Sequence, residues 1–282
     1  MAQETGAVSN GRADRPAPTS GAVMGRIASE MVRSAGQWWF WGRLGWYDIR
    51  QRYRGSMLGP LWSTISMAVS TVALGLFYGF LLGMELAEYI PFLCLGLILW
   101  GFLSALLTEA PQVFISNAGI IRESPAPIGI YVFQLIWRNM IVLGHNMIVF
   151  LVVALVFGLM PTASIFLVLP GMALVLINGI WLTLLLGMSS AKYRDVAQMT
   201  NAFLQLLFFM TPILWKPTLL GPWMPLVYLN PFASLLAVVR DPLIGAEISP
   251  LPWLVCTVMA VLGWSLALFV ASRLRRSLVL WT

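Results

Sequence analysis

From Asn139 to Ala191 this chain contains no Asp, Glu, Lys or Arg, and that single run is long enough to cross a lipid bilayer twice. A spanning helix takes about 20 mostly apolar residues, because every backbone amide and carbonyl must find its partner inside the segment once water is absent. Four further stretches without charge, Gly55–Met84, Tyr89–Thr108, Val196–Trp215 and Ile248–Ser272, bring the expected number of spans to six. Charged residues make up only 10% of the chain, against roughly 25% in soluble domains. The expectation is therefore a single polytopic, all-α integral membrane domain.

The spans are placed at Leu58–Leu82, Tyr89–Leu107, Asn139–Leu159, Ser164–Leu186, Val196–Leu214 and Trp253–Ser272. A net charge of +6 would suggest nucleic acid in a soluble protein, but here its distribution matters more, and no nucleic-acid partner is expected. With the N-terminus inside, 15 of 17 basic residues fall on the cytoplasmic side: eight before Ser56, then Arg122, Arg138, Lys192, Arg194, Arg273, Arg275 and Arg276. Only Lys216 and Arg240 fall outside, so the positive-inside rule puts both termini in the cytoplasm. Met1–Val23, rich in Ala, Gly, Ser, Thr and Pro, has little to bury. A disordered cytoplasmic tail is expected over residues 1–36 and the membrane domain over 37–282.

Trp38–Arg54 reads as an amphipathic helix lying on the membrane, with Trp38, Trp46, Ile49 and Tyr53 on one face and Arg43, Tyr47, Arg50 and Arg54 on another. Contact with anionic membrane lipid is its simplest role. The long segment Trp215–Pro252 contains Asn230-Pro231, a good helix start: Asn caps exposed amides and proline leaves none unsatisfied. The upstream text WKPTLLGPWMP is too short and proline-broken to span, so a pair of re-entrant helices in the outer leaflet is expected.

No phosphate-binding loop is present: the lysines are Lys192 and Lys216, and neither follows a glycine-rich turn. His145 is the lone histidine, so histidine-based metal clusters are not expected. Cys94 and Cys256 fall within spans, where a thiol acts as a small apolar group. Glu109 sits at a span end and reads as solvated or lipid-facing. Two polar stripes stand out: Arg138 with His145 and Asn139 with Asn146 on the third span, and Gln198, Asn201 and Gln205 on the fifth. Each stripe suits either interhelical hydrogen bonding or the wall of a hydrophilic channel, with His145, Asn146, Gln198, Asn201 and Gln205 as channel-lining candidates. Gly75, Gly79 and Gly83 mark close helix packing, within or between chains.

At the junction of the amphipathic helix and first span, DIRQRYRGSMLGPLW resembles the same segment of ABC-2 type permeases that export O-antigen, capsule and teichoic-acid polysaccharides. KYRDVAQMTNAFLQLLFFMTPILW and YLNPFASLLAVVRDPLIG are similar to that family's fifth-span and re-entrant regions. The resemblance implies a homodimer bound to two copies of a separate ATPase, which would hold the ATP and Mg, so this chain would carry no cofactor or catalytic residue. It also implies a lipid-pyrophosphate-linked glycan as substrate and the bacterial inner membrane as location. By the same resemblance, Arg50, Arg52, Tyr53, Arg54 and the loop Leu58-Gly59-Pro60 would form the inner gate and meet the substrate's phosphates. Thr108–Pro127 and Ser189–Asp195 would contact the ATPase, with Asn117, Arg122, Arg194 and Asp195 as coupling residues. The prolines of RESPAPIG place the docking element nearer Asn117–Arg122. The re-entrant segment, with Trp223, Tyr228, Asn230 and Pro231, would form the outer gate. The main alternative is an ABC-2 exporter of a small hydrophobic drug or lipid, against which the polar stripes argue. An ion-driven secondary transporter would show paired intramembrane acids, and none are read here.

Overall fold

The computed structural model describes residues 20–57, 59, 61–123 and 126–281, and Leu58 and Pro60 of the expected inner gate lie outside that set. The described residues form helices α1 (Ser20–Gly36), α2 (Trp38–Arg52), α3 (Leu61–Leu81), α4 (Leu86–Glu109), α5 (Ala118–Glu123), α6 (Gly129–Val156), α7 (Val168–Lys192), α8 (Asp195–Met210), α9 (Met224–Val227), α10 (Pro231–Leu243) and α11 (Pro250–Trp281). Five of these, α3, α4, α6, α7 and α11, lie in segments long and apolar enough to span a bilayer. α4 is the central one: 78% of its most apolar window is buried, against 17–28% in the other four. Lipid or protein must cover what those others expose.

The tail expected to reach residue 36 is instead a packed helix from Ser20 onward. Ile27 and Met31 are buried. Between them Glu30 accepts the Ile128 amide at 2.9 Å and pairs with Arg275 at 2.5 Å. One carboxylate thus ties α1 to the entry of α6 and the late turns of α11, at the end of the bundle where most basic residues gather. A Cβ at Gly129 would lie 2.6 Å from Ser34 Oγ and 2.9 Å from Met31 Sδ, so α6 begins against α1 with no room for a side chain.

α6 starts ten residues before the expected Asn139 because its first turns, with Gln134 and Arg138, bury their polar groups against protein. α8 is shorter than expected, 16 residues rather than the whole of Val196–Leu214. At about 1.5 Å per residue it falls short of the roughly 30 Å hydrocarbon thickness. The chain completes the crossing without helix: the Tyr89 hydroxyl donates to the Leu214 carbonyl at 2.6 Å, and Lys216 pairs with Glu88 at 2.9 Å, both at the start of α4. Irregular backbone at that depth needs protein donors. Arg240 Nη1 donates to the Pro212 carbonyl at 2.7 Å, and Asn230 Nδ2 reaches the Met210 carbonyl and the Thr211 hydroxyl at 3.3 and 3.2 Å.

Those two donors belong to the re-entrant pair. Pro217–Val227 and Pro231–Ile244 meet at a 119° bend. Asn230 makes the turn as its sequence suggested: its side-chain oxygen accepts the Phe232 amide at 3.0 Å, with Pro231 at the first helical position. α10 is buried from Phe232 through Arg240. A Cβ at Gly171 on α7 would collide with the Val238 carbonyl, so α7 touches the α10 backbone itself.

Gly75 and Gly79 resolve the packing alternative in favour of contact within the chain: both face α4, where an added Cβ at Gly75 would sit 3.0 Å from Ile90 and one at Gly79 would overlap Leu86. Gly83 ends α3 with a positive φ of 62°. The most extensive helix pairing is α7 with α11. Asn178 Nδ2 donates to the Cys256 carbonyl at 3.1 Å and Trp181 Nε1 donates to Asn178 Oδ1 at 2.9 Å, while the Trp181 ring lies flush on Gly263. A Cβ at Gly263 would fall inside that ring. Gly263→Ala is expected to lower stability by about 1–3 kcal/mol through overpacking, whereas Gly144→Ala, with no atom within 4 Å of the new methyl, should leave it unchanged or slightly raised; thermal unfolding of the two purified variants checks this.

Candidate functional site

α2 docks on α6 through a stripe at positions 41, 45, 48 and 52, the i, i+4, i+7, i+11 spacing of one helix face. Gly45 permits the approach: a Cβ there would lie 3.0 Å from the Trp137 ring and 3.2 Å from the Gln134 carbonyl. Trp41 packs against Phe133 and Trp137, with ring centroids 5.9 and 6.0 Å apart. Ile49 is buried, but Trp38 and Trp46, expected on the same face, are 69% and 53% exposed. The buried face is thus rotated from the expected one and carries Asp48 and Arg52 into the protein.

There they meet Glu109, the last residue of α4. Arg52 Nη2 pairs with Glu109 Oε1 at 2.7 Å, and Arg138 Nη2 with Oε2 at 2.7 Å. Asn139 Nδ2 donates to the same Oε2 at 2.9 Å. Asp48 Oδ2 accepts from Gln134 Nε2 at 2.6 Å and pairs with Arg138 Nη1 at 3.3 Å. The hydrogen bond to Glu109 holds the Arg52 guanidinium above its already high ordinary pKa. Glu109 is therefore not a freely solvated or lipid-facing group: its carboxylate, about four-fifths buried, joins α2, α4 and α6. Arg138, read as a residue at the membrane edge, bridges both acids.

Asp48, Arg52, Glu109, Gln134 and Arg138 wall a cavity of about 610 Å³ whose lining also includes Gln51, Gln112, Ser116, Asn117 and Tyr131. Its two arginines are matched by two carboxylates, leaving no net charge with which to hold an anion. Polar capacity is nevertheless left over, because Gln134 Oε1 and Arg138 Nε are buried without a hydrogen-bond partner among the described residues. The floor is the segment leaving α4: a 3₁₀ turn at Ala110–Gln112, the Asn117 side chain donating to the Val113 carbonyl at 2.8 Å, then α5. α5 places Arg122 on an exposed surface. Arg194 and Asp195, at the start of α8, are also exposed.

The other expected gate residues do not converge. Arg50 and Arg54 are exposed, Tyr53 follows the end of α2 half-buried, and Gly59 takes a positive φ of 55° with its amide 3.1 Å from Ser56 Oγ. His145 turns to its own helix, Nδ1 lying 2.8 Å from the Ile141 carbonyl, and buried Asn146 faces Ser63 Oγ at 3.5 Å. Gln198, Asn201 and Gln205 are exposed along α8. In the re-entrant segment Trp223 is exposed, while Tyr228 is buried and its carbonyl accepts from Ser234 Oγ at 2.6 Å.

Sequence reading missed Asp48, Gln134 and Arg240. The last was counted as an outward-facing charge but is 1% exposed, with its guanidinium 3.9 Å above the Phe92 ring and Nε 3.2 Å from Asp241. Position 48 was legible in principle from the stripe that also holds Trp41 and Gly45.

The family model for ABC-2 type transporters matches residues 40–244, which takes in the α2 stripe, the Glu109 cluster and the re-entrant pair. The chain belongs to the ABC-2 type transporter family. It is 24% identical over 198 residues, 69% of its length and 76% of the relative's, to the O-antigen export system permease protein RfbA of Klebsiella pneumoniae. The protein of that name from Myxococcus xanthus is 21% identical over 168 residues, covering 60% of this chain and 65% of the relative. As an ABC-2 transporter chain it is a multi-pass membrane transport component, and the cluster lies in its family-matched region, whereas α1 and α11 lie outside it.

The Glu109 joint makes a quantitative prediction. A double-mutant cycle of Glu109→Gln with Arg138→Gln should give a coupling of about 1–3 kcal/mol, both side chains being about four-fifths buried. The cycle with Arg52→Gln should give less than about 1 kcal/mol, since that side chain is 49% exposed. Unfolding of the purified variants measures both, and equal couplings would contradict the hub geometry.

Proposed function

We propose that this chain is the permease subunit of an exporter of lipid-pyrophosphate-linked polysaccharide, working as a homodimer with two copies of a separate ATPase that binds ATP and Mg. Its place would be the bacterial inner membrane, with both termini cytoplasmic. The observation that carries the reading is the row Gln198, Asn201 and Gln205 on α8, exposed and without hydrogen-bond partners among the described residues. Amides facing lipid would be costly, so this face calls for water or another copy of the chain. Two such faces opposed across a dimer would wall a pore with weak, repeated hydrogen-bonding groups, along which a long glycan slides without a tight binding site. The similarity to O-antigen export system permease proteins agrees with that wall.

Energy would enter through α5 and the turn between α7 and α8, which present Arg122, Arg194 and Asp195 on the basic end. Motion of the ATPase would pass through the 110–117 segment to Glu109 and from there to α2, switching one packed arrangement for another. The phosphates of the substrate would meet Arg54 rather than Arg52, whose guanidinium is engaged by Glu109.

A second reading, export of a lipid or hydrophobic small molecule, is favoured by one feature: an apolar groove of about 430 Å³ between α3 and α6, lined by residues such as Ile65, Ala68, Val149 and Val152. The two readings part on one experiment. Replacing Gln198, Asn201 and Gln205 together by leucine should cut the appearance of glycan at the cell surface several-fold, while membrane insertion and ATPase co-purification persist. Unchanged surface glycan would reject the polar-pore reading, and loss of transport on filling the groove with Ala68→Phe alone would favour the second. Arg122→Glu is expected to weaken co-purification of the ATPase without lowering the thermal stability of the permease.

A further inference from the structure

The arginines of α2 have separate fates. Arg52 is neutralised by Glu109. Arg43 and Arg50, seven residues apart and so on one side of the helix, have no ion-pair partner among the described residues. Both line a second cavity, about 680 Å³, between α2 and α6. Its walls are aromatic: Trp41 and Trp137 meet edge to face at 6.0 Å, and Trp38 and Trp46 close the sides. Gly42 lies in the lining, and a Cβ there would meet nothing within 4 Å. No carboxylate among the described residues faces this space. It is thus the charge opposite of the neutral cavity beside Glu109: two positive groups on the rim of an apolar hollow of the size that holds small ligands.

We infer that this hollow is a discrete binding site for one anionic glycerophospholipid, distinct from the path of the exported substrate. Arg43 and Arg50 take the phosphate through charge-assisted hydrogen bonds. The tryptophan walls accept the glycerol backbone and the first methylenes of the acyl chains, the depth at which indole rings favour membranes. Charge complementarity selects the occupant: a zwitterionic lipid brings its own cation to a rim that already holds two, whereas phosphatidylglycerol brings only the phosphate. The bound lipid wedges α2 against α6 from the side opposite Asp48 and Arg52, so the interfacial helix is held on both flanks. The inference rests on the membrane location alone and is independent of which substrate is exported.

The test uses the full chain in nanodiscs of phosphatidylglycerol and phosphatidylcholine in a 1:3 ratio, followed by native mass spectrometry of the lipid retained on release. Wild type should keep one phosphatidylglycerol per chain in preference to phosphatidylcholine. Arg43→Gln and Arg50→Gln should each weaken that retention about fivefold, taking the usual worth of one basic residue near an anionic surface. Gly42→Leu keeps both charges but fills the hollow, and as a better helix former it should fold at least as well; it should abolish the preferential lipid. Equal retention by wild type and all three variants would overturn the proposal, as would equal retention of phosphatidylcholine. One-for-one displacement of the phosphatidylglycerol by a polyprenyl-pyrophosphate glycan would overturn it too, by assigning the hollow to the substrate.

Discussion

A carboxylate stands at the C-terminal end of the most buried span, where the helix dipole disfavours it, and the structure at the basic end is organised around keeping it charged. Glu109 is surrounded by donors from two other helices, Arg52 on α2 and Arg138 and Asn139 on α6. Each of these helices has its own reason to be near: Gly45 lets α2 close on α6, and α6 packs along α4. The carboxylate converts this proximity into a fixed relation, because moving any one helix would leave a partly buried charge without its partner. It also sits one residue before the turn that leads to Asn117 and α5, so the exposed segment and the interfacial helix share a joint.

The same physics recurs at the other end of the bundle. α8 stops at Met210, leaving backbone carbonyls in a region without water, and α10 supplies Arg240 as the donor. That buried guanidinium is stabilised by the Phe92 ring of α4 and by Asp241. The re-entrant pair is thus pinned to the broken end of α8 and to the start of α4, while Trp223 and, on α9, Pro225 and Leu226 remain exposed. A charge that looks like a loop residue in the sequence is a structural bolt.

What could be read from the sequence was what the bilayer dictates locally. Charge-free runs located the spans, and Asn230-Pro231 located the turn between re-entrant helices, because both signals act over one or a few turns. The ends of spans were less legible: Arg138 appeared to end a membrane segment, yet α6 continues through it because Asp48 and Glu109 neutralise it from 90 and 29 residues away in the chain. Local periodicity carries no information about such pairings. The face of α2 was misjudged because tryptophan is equally at home against protein and in the headgroup layer, so aromatic content alone does not say which side is buried. α1 was hidden by the polar composition that precedes it; its buried stripe is only Ile27, Glu30, Met31 and Ser34.

The central claim, that the segment following α4 and the interfacial helix move as one body through Glu109, is tested most directly by pulsed electron spin resonance distances in the complex of this permease with its ATPase. The two native cysteines are buried, so labels go selectively to cysteines introduced at Tyr47 on α2, Ile120 on α5 and Trp223 on the re-entrant segment, all exposed. A rigid Glu109 joint predicts that nucleotide binding leaves the 47–120 distance distribution unchanged while the 120–223 distribution shifts. A shift in the 47–120 distance on adding nucleotide, with residue 47 fixed relative to residue 223, would contradict it.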